Sequence, residues 1–273
     1  MESSLPKVEV IASGLDNPRG LAIGPDRAVY VAEAGRGGGG AWRVVSHMPS
    51  LATPPGQPGE GAGATGVVDI VFDDHWGGVA VIGLGADPAQ RALLGPVGNR
   101  FGRLVKIRIG SLSFEEDLAG YEAESNPDGG AEDSNPYGLA LQSGSVVYAD
   151  AGGNAVNEVS GTGFISTLAV FPNVLVPFGS PGNMIPMQAV PTTVTVGPDV
   201  ALYIGQLTGV PFPTGRASVY RRVAGRRAGS LRHWLHQHHR SRLRTRWLAL
   251  RSADLRERAA VRESRGSAHA REA

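Results

Sequence analysis

Oxygen-bearing side chains recur near one place in a repeated pattern of this 273-residue chain. They are Glu33, Asp69, Asp150, Asn154 and Gln206, and the matching position of the second repeat holds Gly83. Carboxylate and amide oxygens are the ligands that hard cations prefer. If these residues line one channel, they predict a site for Ca²⁺ or a similar cation. The alternative is that they cap strand ends, bind backbone N–H groups or face water, and the sequence favours this alternative.

Three other segments suggest chemistry more weakly. Residues 124–136 are rich in oxygen ligands but lack the spacing of an EF-hand loop, and Asx-turns beside Pro and Gly explain them equally well. The glycine run 35–40 lacks the Lys-Ser/Thr pair of a phosphate-binding loop. His75 beside Asp73 and Asp74 could act as a general base, although its place in a turn favours an exposed histidine. No G-x-S-x-G nucleophile motif occurs.

The elements that must position these residues belong to a repeated phrase. Residues 21–31 read LAIGPDRAVYV and residues 194–204 read VTVGPDVALYI. A looser copy spans residues 139–148, and a degenerate one spans residues 69–82. Each copy predicts a strand, a turn rich in Gly, Pro or Asp, and a second strand.

Further strands are predicted after each copy, at residues 42–45, 103–109, 155–159, 165–171 and 218–223. About four strands per unit is the count in one propeller blade. We therefore expect an all-β fold, a β-propeller of four-stranded blades. At about 50 residues per blade, residues 1–225 hold about four to five blades of an incomplete ring. One short helix is expected within residues 114–124.

Composition excludes several classes of site. The chain has 39 Gly, 19 Pro and no Cys, which excludes disulfides, thiolate zinc sites and cysteine nucleophiles. No apolar run approaches 18 residues, so no membrane span is expected. The N-terminal residues lack the pattern of a secretion signal.

Charge divides the chain into two unlike segments. Residues 1–225 hold 13 Lys/Arg and 21 Asp/Glu, whereas residues 226–273 hold 13 Arg and 4 Asp/Glu. The second segment could be a basic arm for nucleic acid, a metal-binding cluster of His233, His236, His238 and His239, or a basic amphipathic helix on a membrane.

A one-base frameshift near Gly225 is the favoured explanation of this tail. With GC-leaning codons, the tail from His233 onward can be re-read one base out of frame as a string that contains LAFGPGGSLYV. That string repeats the phrase with its spacing intact. We therefore expect residues 1–225 to form blades and residues 226–273 to lack evolved structure and nucleic-acid function.

Several motifs of the body resemble the ScyD/ScyE family, which is named from the cyanobacterial scytonemin gene cluster. The resembling segments lie between residues 8 and 223 and include 12–22 (ASGLDNPRGLA), 30–38 (YVAEAGRGG), 82–88 (IGLGADP), 126–130 (NPDGG), 133–138 (DSNPYG), 149–155 (ADAGGNA), 188–192 (QAVPT) and 205–213 (GQLTGVPFP).

This resemblance implies a propeller related to the NHL and SMP-30 types, with six blades when intact, and a bacterial protein that is usually exported. It brings no established activity. This chain departs from the family by having no export signal, a shortened stretch between Gly40 and Trp42, and the tail in place of the final blades.

Two functions remain open from the sequence. The favoured one is a binding or accessory module for an unknown small molecule or protein. The other is a metal-dependent hydrolase or lactonase of the SMP-30 type, with Glu33, Asp69, Asp150 and Asn154 around a cation.

Overall fold

Antiparallel strands account for most of the structured chain. The computed structural model describes residues 9–35, 48–53, 63–73, 77–108, 111–223 and 232–233. Blade 1 is the hairpin of β1 (Pro18–Ile23) and β2 (Val29–Glu33). A separate hairpin, β3 (Leu51–Thr53) and β4 (Gly63–Thr65), follows it.

Blades 2 and 3 are four-stranded sheets whose strands are ordered as in the sequence. Blade 2 consists of β5 (Val67–Phe72), β6 (Gly78–Ile82), β7 (Arg103–Arg108) and β8 (Ser111–Asp117). A 3₁₀ segment, Pro88–Arg100, joins β6 to β7, and the helix α1 (Leu118–Ser125) follows β8. Blade 3 consists of β9 (Pro136–Gln142), β10 (Ser145–Asp150), β11 (Ala155–Val159) and β12 (Ile165–Val170).

Blade 4 is preceded by the hairpin of β13 (Val174–Pro177) and β14 (Met184–Met187). Its strands are β15 (Pro191–Val196), β16 (Leu202–Gln206), β17 (Val219–Arg222) and the short β18 (Arg232–His233). The predicted boundary after residue 225 falls before β18. The rest of the tail, with His236, His238 and His239, lies outside the described residues.

The blades pack face to face through their first strands. β1 packs against β5, β5 against β9, and β9 against β15. An apolar core fills each space between successive blades. In the described part of the chain, β15 and β1 do not pack in this way, so the sheets form an open arc. The predicted fold, an incomplete all-β propeller, is confirmed.

The Gly-Pro-Asp turn of the phrase is stabilised by its own tyrosine. In blade 1, the Tyr30 hydroxyl donates to Asp26 Oδ2 (3.1 Å), and the Ala28 N–H donates to Asp26 Oδ1 (3.0 Å). A Cβ atom on Gly24 would lie 2.8 Å from Tyr30 Cδ2, so the ring covers this glycine. Blade 4 repeats the arrangement, since the Tyr203 hydroxyl donates to Asp199 Oδ2 at 3.1 Å.

The tyrosine of blade 3 lies on the opposite face of its hairpin. Leu21 pairs with Val31 in blade 1, whereas Leu139 pairs with Tyr148 itself in blade 3. The cause is the turn, which has five residues in blade 1 and only Ser143 and Gly144 in blade 3. Because strand side chains alternate between faces, this offset of one residue places Tyr148 in the core against blade 2.

The structure corrects one expectation, and another concerns residues that the structure does not describe. The helix predicted within residues 114–124 begins only at Leu118, because residues 111–117 form the edge strand β8. The strand predicted at residues 42–45 lies outside the described residues. No helix in the described segments is long and apolar enough to cross a membrane.

Candidate functional site

The predicted site residues at the ends of the second strands occupy equivalent positions. Each pairs with the first residue of its blade, across a shift in register that is typical of a β-bulge. The pairs are Glu33–Pro18, Ile82–Val67, Asp150–Pro136 and Gln206–Pro191. In blade 2, this position belongs to Ile82 and not to Gly83.

Asp150 is the most thoroughly bonded of these residues. It is 1% exposed, and its Oδ2 accepts a hydrogen bond from the Ser134 hydroxyl at 2.8 Å. Its Oδ1 accepts from the N–H groups of Asn135 (2.7 Å), Gly152 (3.1 Å) and Gly153 (3.1 Å). Burial raises the pKa of Asp150 to about 6 against the lowering effect of these donors. The carboxylate therefore ties the turn after β10 to the segment before β9.

Asn154 extends this connection to blade 4. Its Nδ2 donates to Asp128 Oδ2 at 2.9 Å and to the Gly152 carbonyl at 3.2 Å. Its Oδ1 accepts from the Val190 N–H at 3.1 Å, just before β15 begins. Asn154 has a φ of 46°, a left-handed conformation that Asn tolerates better than most residues.

Asp69 connects the first strands of three blades. Its Oδ2 accepts from the Leu139 N–H in β9 at 2.8 Å, and its Oδ1 accepts from the Ile70 N–H at 2.9 Å. On the other side, a Cβ atom on Gly20 would lie 2.7 Å from Asp69 Cα, so β1 approaches closely only because residue 20 is Gly. Burial raises the pKa of Asp69, while the two N–H donors oppose that effect.

Glu33 and Gln206 lie on blades 1 and 4. Glu33 Oε1 accepts from the Asp16 N–H at 2.9 Å and so holds the segment before β1. Gln206 is 8% exposed, and its Oε1 has no hydrogen-bond partner among the described residues.

The five predicted residues are therefore distributed over the four blades. The structure brings Asp150 and Asn154 together on one turn, and it places Glu33, Asp69 and Gln206 on other blades. Within the described ranges, no three His, Asp or Glu side chains converge in a way that could hold a metal ion.

The loop before β9 is built from Asx-type turns. Asn126 ends α1 in a left-handed conformation (φ 35°), and its Nδ2 donates to the Gly130 carbonyl at 3.0 Å. The Gly130 N–H donates to Asp128 Oδ1 at 2.7 Å. This is the turn chemistry that the sequence suggested as an alternative to a Ca²⁺ loop. His75 and residues 36–40 lie outside the described part of the chain.

Sequence analysis missed Glu122, an acidic residue of α1 that lies beside Gly153. It is 1% exposed, and both of its carboxylate oxygens lack a hydrogen-bond partner among the described residues. Burial, followed by the charges of Asp150, Asp128, Asp133 and Glu132, raises the pKa of Glu122 to about 8. No local motif marks Glu122, because its burial depends on how α1 lies against the turn after β10.

Comparisons with known proteins add little beyond the fold. No protein-family model matches the chain, and no curated protein sequence matches it. Among solved structures, a catalytically inactive virginiamycin B lyase from Staphylococcus aureus with quinupristin is 15% identical over 78% of this chain and 66% of that chain, with a TM-score of 0.42. A PQQ-bound aldose sugar dehydrogenase from Streptomyces coelicolor is 14% identical over 84% of each chain, with a TM-score of 0.35.

Both of these proteins are of the propeller type. This chain spans about two thirds of the lyase chain, at 66%. Similarity at this level carries no argument about activity.

Proposed function

We propose that this chain belongs to a ScyD/ScyE-like propeller that acts as a binding or accessory module for a small molecule or a protein. The supporting observation is that its carboxylates accept hydrogen bonds from the main chain. Glu33, Asp69 and Asp150 each accept hydrogen bonds from main-chain N–H groups of a neighbouring segment. Oxygens bonded in this way hold loops on a rigid scaffold, and such loops are the usual place for recognition.

The competing function is a metal-dependent hydrolase or lactonase. It needs the same oxygens for a cation, because hard cations take six to eight oxygen ligands. The two functions therefore differ in what Asp150 does: it holds the turn after β10 in the first and coordinates a metal in the second.

A pair of matched variants tests this difference. Asp150→Ala and Glu33→Ala remove side chains from equivalent positions of blades 3 and 1. We expect Asp150→Ala to lower the free energy of unfolding by about 2–3 kcal/mol and Glu33→Ala by about 1 kcal/mol, because the first leaves several buried donors unsatisfied. Bound Ca²⁺ and Zn²⁺, measured by mass spectrometry, and hydrolysis of simple lactones should not differ between the two variants and the original chain.

The opposite outcome is equally definite. Stoichiometric Ca²⁺ or Zn²⁺ that is lost in Asp150→Ala, together with metal-dependent lactone hydrolysis, would establish the hydrolase and overturn the binding module. Glu33→Ala serves as the control for nonspecific loss of structure.

We also propose that the intact protein works outside the cytoplasm and that residues 226–273 are translated out of frame. The family resemblance supports export, and the phrase hidden in the tail supports the frameshift. DNA sequencing around codon 225 tests the frameshift directly, since an uninterrupted frame in clean reads contradicts it.

A further inference from the structure

Glu122 is buried where α1 meets the turn after β10 of blade 3. A Cβ atom on Gly153 would lie 2.5 Å from Glu122 Oε2, so the carboxyl group lies directly over the turn after β10. Glu122 is 1% exposed, and neither of its carboxylate oxygens has a hydrogen-bond donor among the described residues. A carboxylate anion in such a place carries a large desolvation cost.

Among the described residues, the charged groups that act on Glu122 are carboxylates. Asp150 approaches from β10, and Asp128, Glu132 and Asp133 approach from the loop between α1 and β9. The buried hydroxyl of Tyr148 in β10 feels the charge of Glu122 as well. On the elements packed against the start of α1, Arg91 and Arg103 form ion pairs with Asp117, at 2.6 Å and 3.4 Å.

Only the neutral carboxylic acid suits this site. We propose that Glu122 is a proton-operated latch, which keeps α1 packed on the turn 151–154 while it is protonated and releases α1 when the proton is lost to solvent. Ionisation would place a fifth negative charge among the four carboxylates around it, and like charges in a buried site repel strongly.

Release of α1 would also loosen neighbouring loops, because a series of hydrogen bonds links them to the helix. The loop 126–135 begins at the end of α1, where the Asn126 N–H donates to the Glu122 carbonyl at 2.8 Å. The same loop supplies Asp128 to Asn154 and Ser134 to Asp150. Asn154 in turn holds Val190 before blade 4. The latch therefore controls the order of the loops at one end of blades 3 and 4.

Hydrogen exchange across pH tests the latch in the full chain. With rates corrected for intrinsic exchange, the opening of residues 118–125 and 151–154 should rise about tenfold between pH 7 and pH 9, as expected for a group with a pKa of about 8. Glu122→Gln mimics the protonated acid and should remove this pH dependence. Glu124→Gln, an exposed position on the same helix, should retain it.

Infrared spectroscopy provides a second test that does not require the variant to fold. The original chain should show the carbonyl band of a protonated carboxylic acid at pH 6.5, lost with a midpoint near pH 8. Absence of that band, or unchanged pH dependence of exchange in Glu122→Gln, would overturn the latch. Recovery of protection at pH 9 on addition of Ca²⁺ would also overturn it, because Glu122 would then be a cation ligand.

Discussion

Blades 1 and 3 use the same phrase in different surroundings. Leu21 and Leu139 are the leading apolar residues of the two copies, yet Leu21 is 68% exposed and Leu139 is 4% exposed. Leu139 packs with Val81 and Leu104 of blade 2, whereas the described residues place no blade against Leu21. The phrase therefore specifies the hairpin, and the preceding blade decides whether its apolar face becomes core.

The two blades also differ in how they hold their loops. Asp150 accepts four hydrogen bonds beneath the turn of blade 3. Glu33, at the equivalent position of blade 1, accepts one from Asp16. The better-buried blade thus has the denser polar network, which fits the rule that buried polar groups need partners.

The largest expected difference between the blades comes from their leading leucines. Leu139→Ala should lower the free energy of unfolding by about 3–5 kcal/mol, because it opens a cavity between blades 2 and 3. Leu21→Ala should change it by less than about 0.5 kcal/mol. Urea unfolding of the two variants measures both values, and equal losses would show that blade 1 has a covered face in solution.

The pH dependence of the unfolding free energy should reveal the buried carboxyl group of Asp150, which distinguishes blade 3 from blade 1. Its pKa rises from 3.8 to about 6 on folding. Because the pKa is higher in the folded state, protonation of Asp150 stabilises the fold fully below about pH 4. This stabilisation, about 3 kcal/mol, is lost as the pH rises through about 6. Asp150→Asn should remove this part of the pH profile in denaturant titrations at pH 4–7, whereas Glu33→Gln should leave it unchanged.

Substitutions in the turns of blades 1 and 3 should change the unfolding free energy by smaller amounts. Asp26→Ala removes the acceptor for Tyr30 and Ala28 in blade 1 and should cost about 1 kcal/mol. In blade 3, Gly144 has a φ of 82°, so Gly144→Ala should cost about 1 kcal/mol through backbone strain instead. Tyr30→Phe removes only the hydroxyl donor of blade 1 and should therefore cost less than Asp26→Ala, since the Ala28 N–H keeps its acceptor.

The smallest effect on stability is expected on the exposed face of blade 1. Leu21→Thr combined with Ile23→Thr should barely change the unfolding free energy, because the two side chains are 68% and 59% exposed. Large exposed apolar patches promote association, so the double variant should give more soluble monomer than the original chain. Light scattering on matched samples checks this expectation, and equal aggregation would show that another surface drives it.

The repeated phrase was enough to predict the all-β class, the hairpins and most strand positions. It works because the turn is local: Gly24, Asp26 and Tyr30 bond and pack with one another, so the pattern itself carries the structure. The sequence also assigned the oxygens of residues 33, 150 and 206 to one position of the repeat, and in the structure each of these residues pairs with the first residue of its blade. In blade 2 this position belongs to Ile82 and not to the predicted Gly83.

Tyr148 shows where equal spacing in the sequence hides a difference in structure. It follows its leading residue by nine positions, as Tyr30 does, but a shorter turn moves it to the opposite face. The length of the turn is visible in the sequence, whereas its effect on register is seen only when the strands pair.

The sequence by itself determined the repeated hairpins, because alternation and turn chemistry act within about ten residues. Only the tertiary structure decided that Leu139 is core and Leu21 is not, that Asp69 joins blade 2 to the Leu139 N–H, and that Glu122 lies buried over Gly153. Each of these depends on a neighbouring blade or helix. Burial and the pKa changes that follow from it are properties of packing, and no local pattern encodes them.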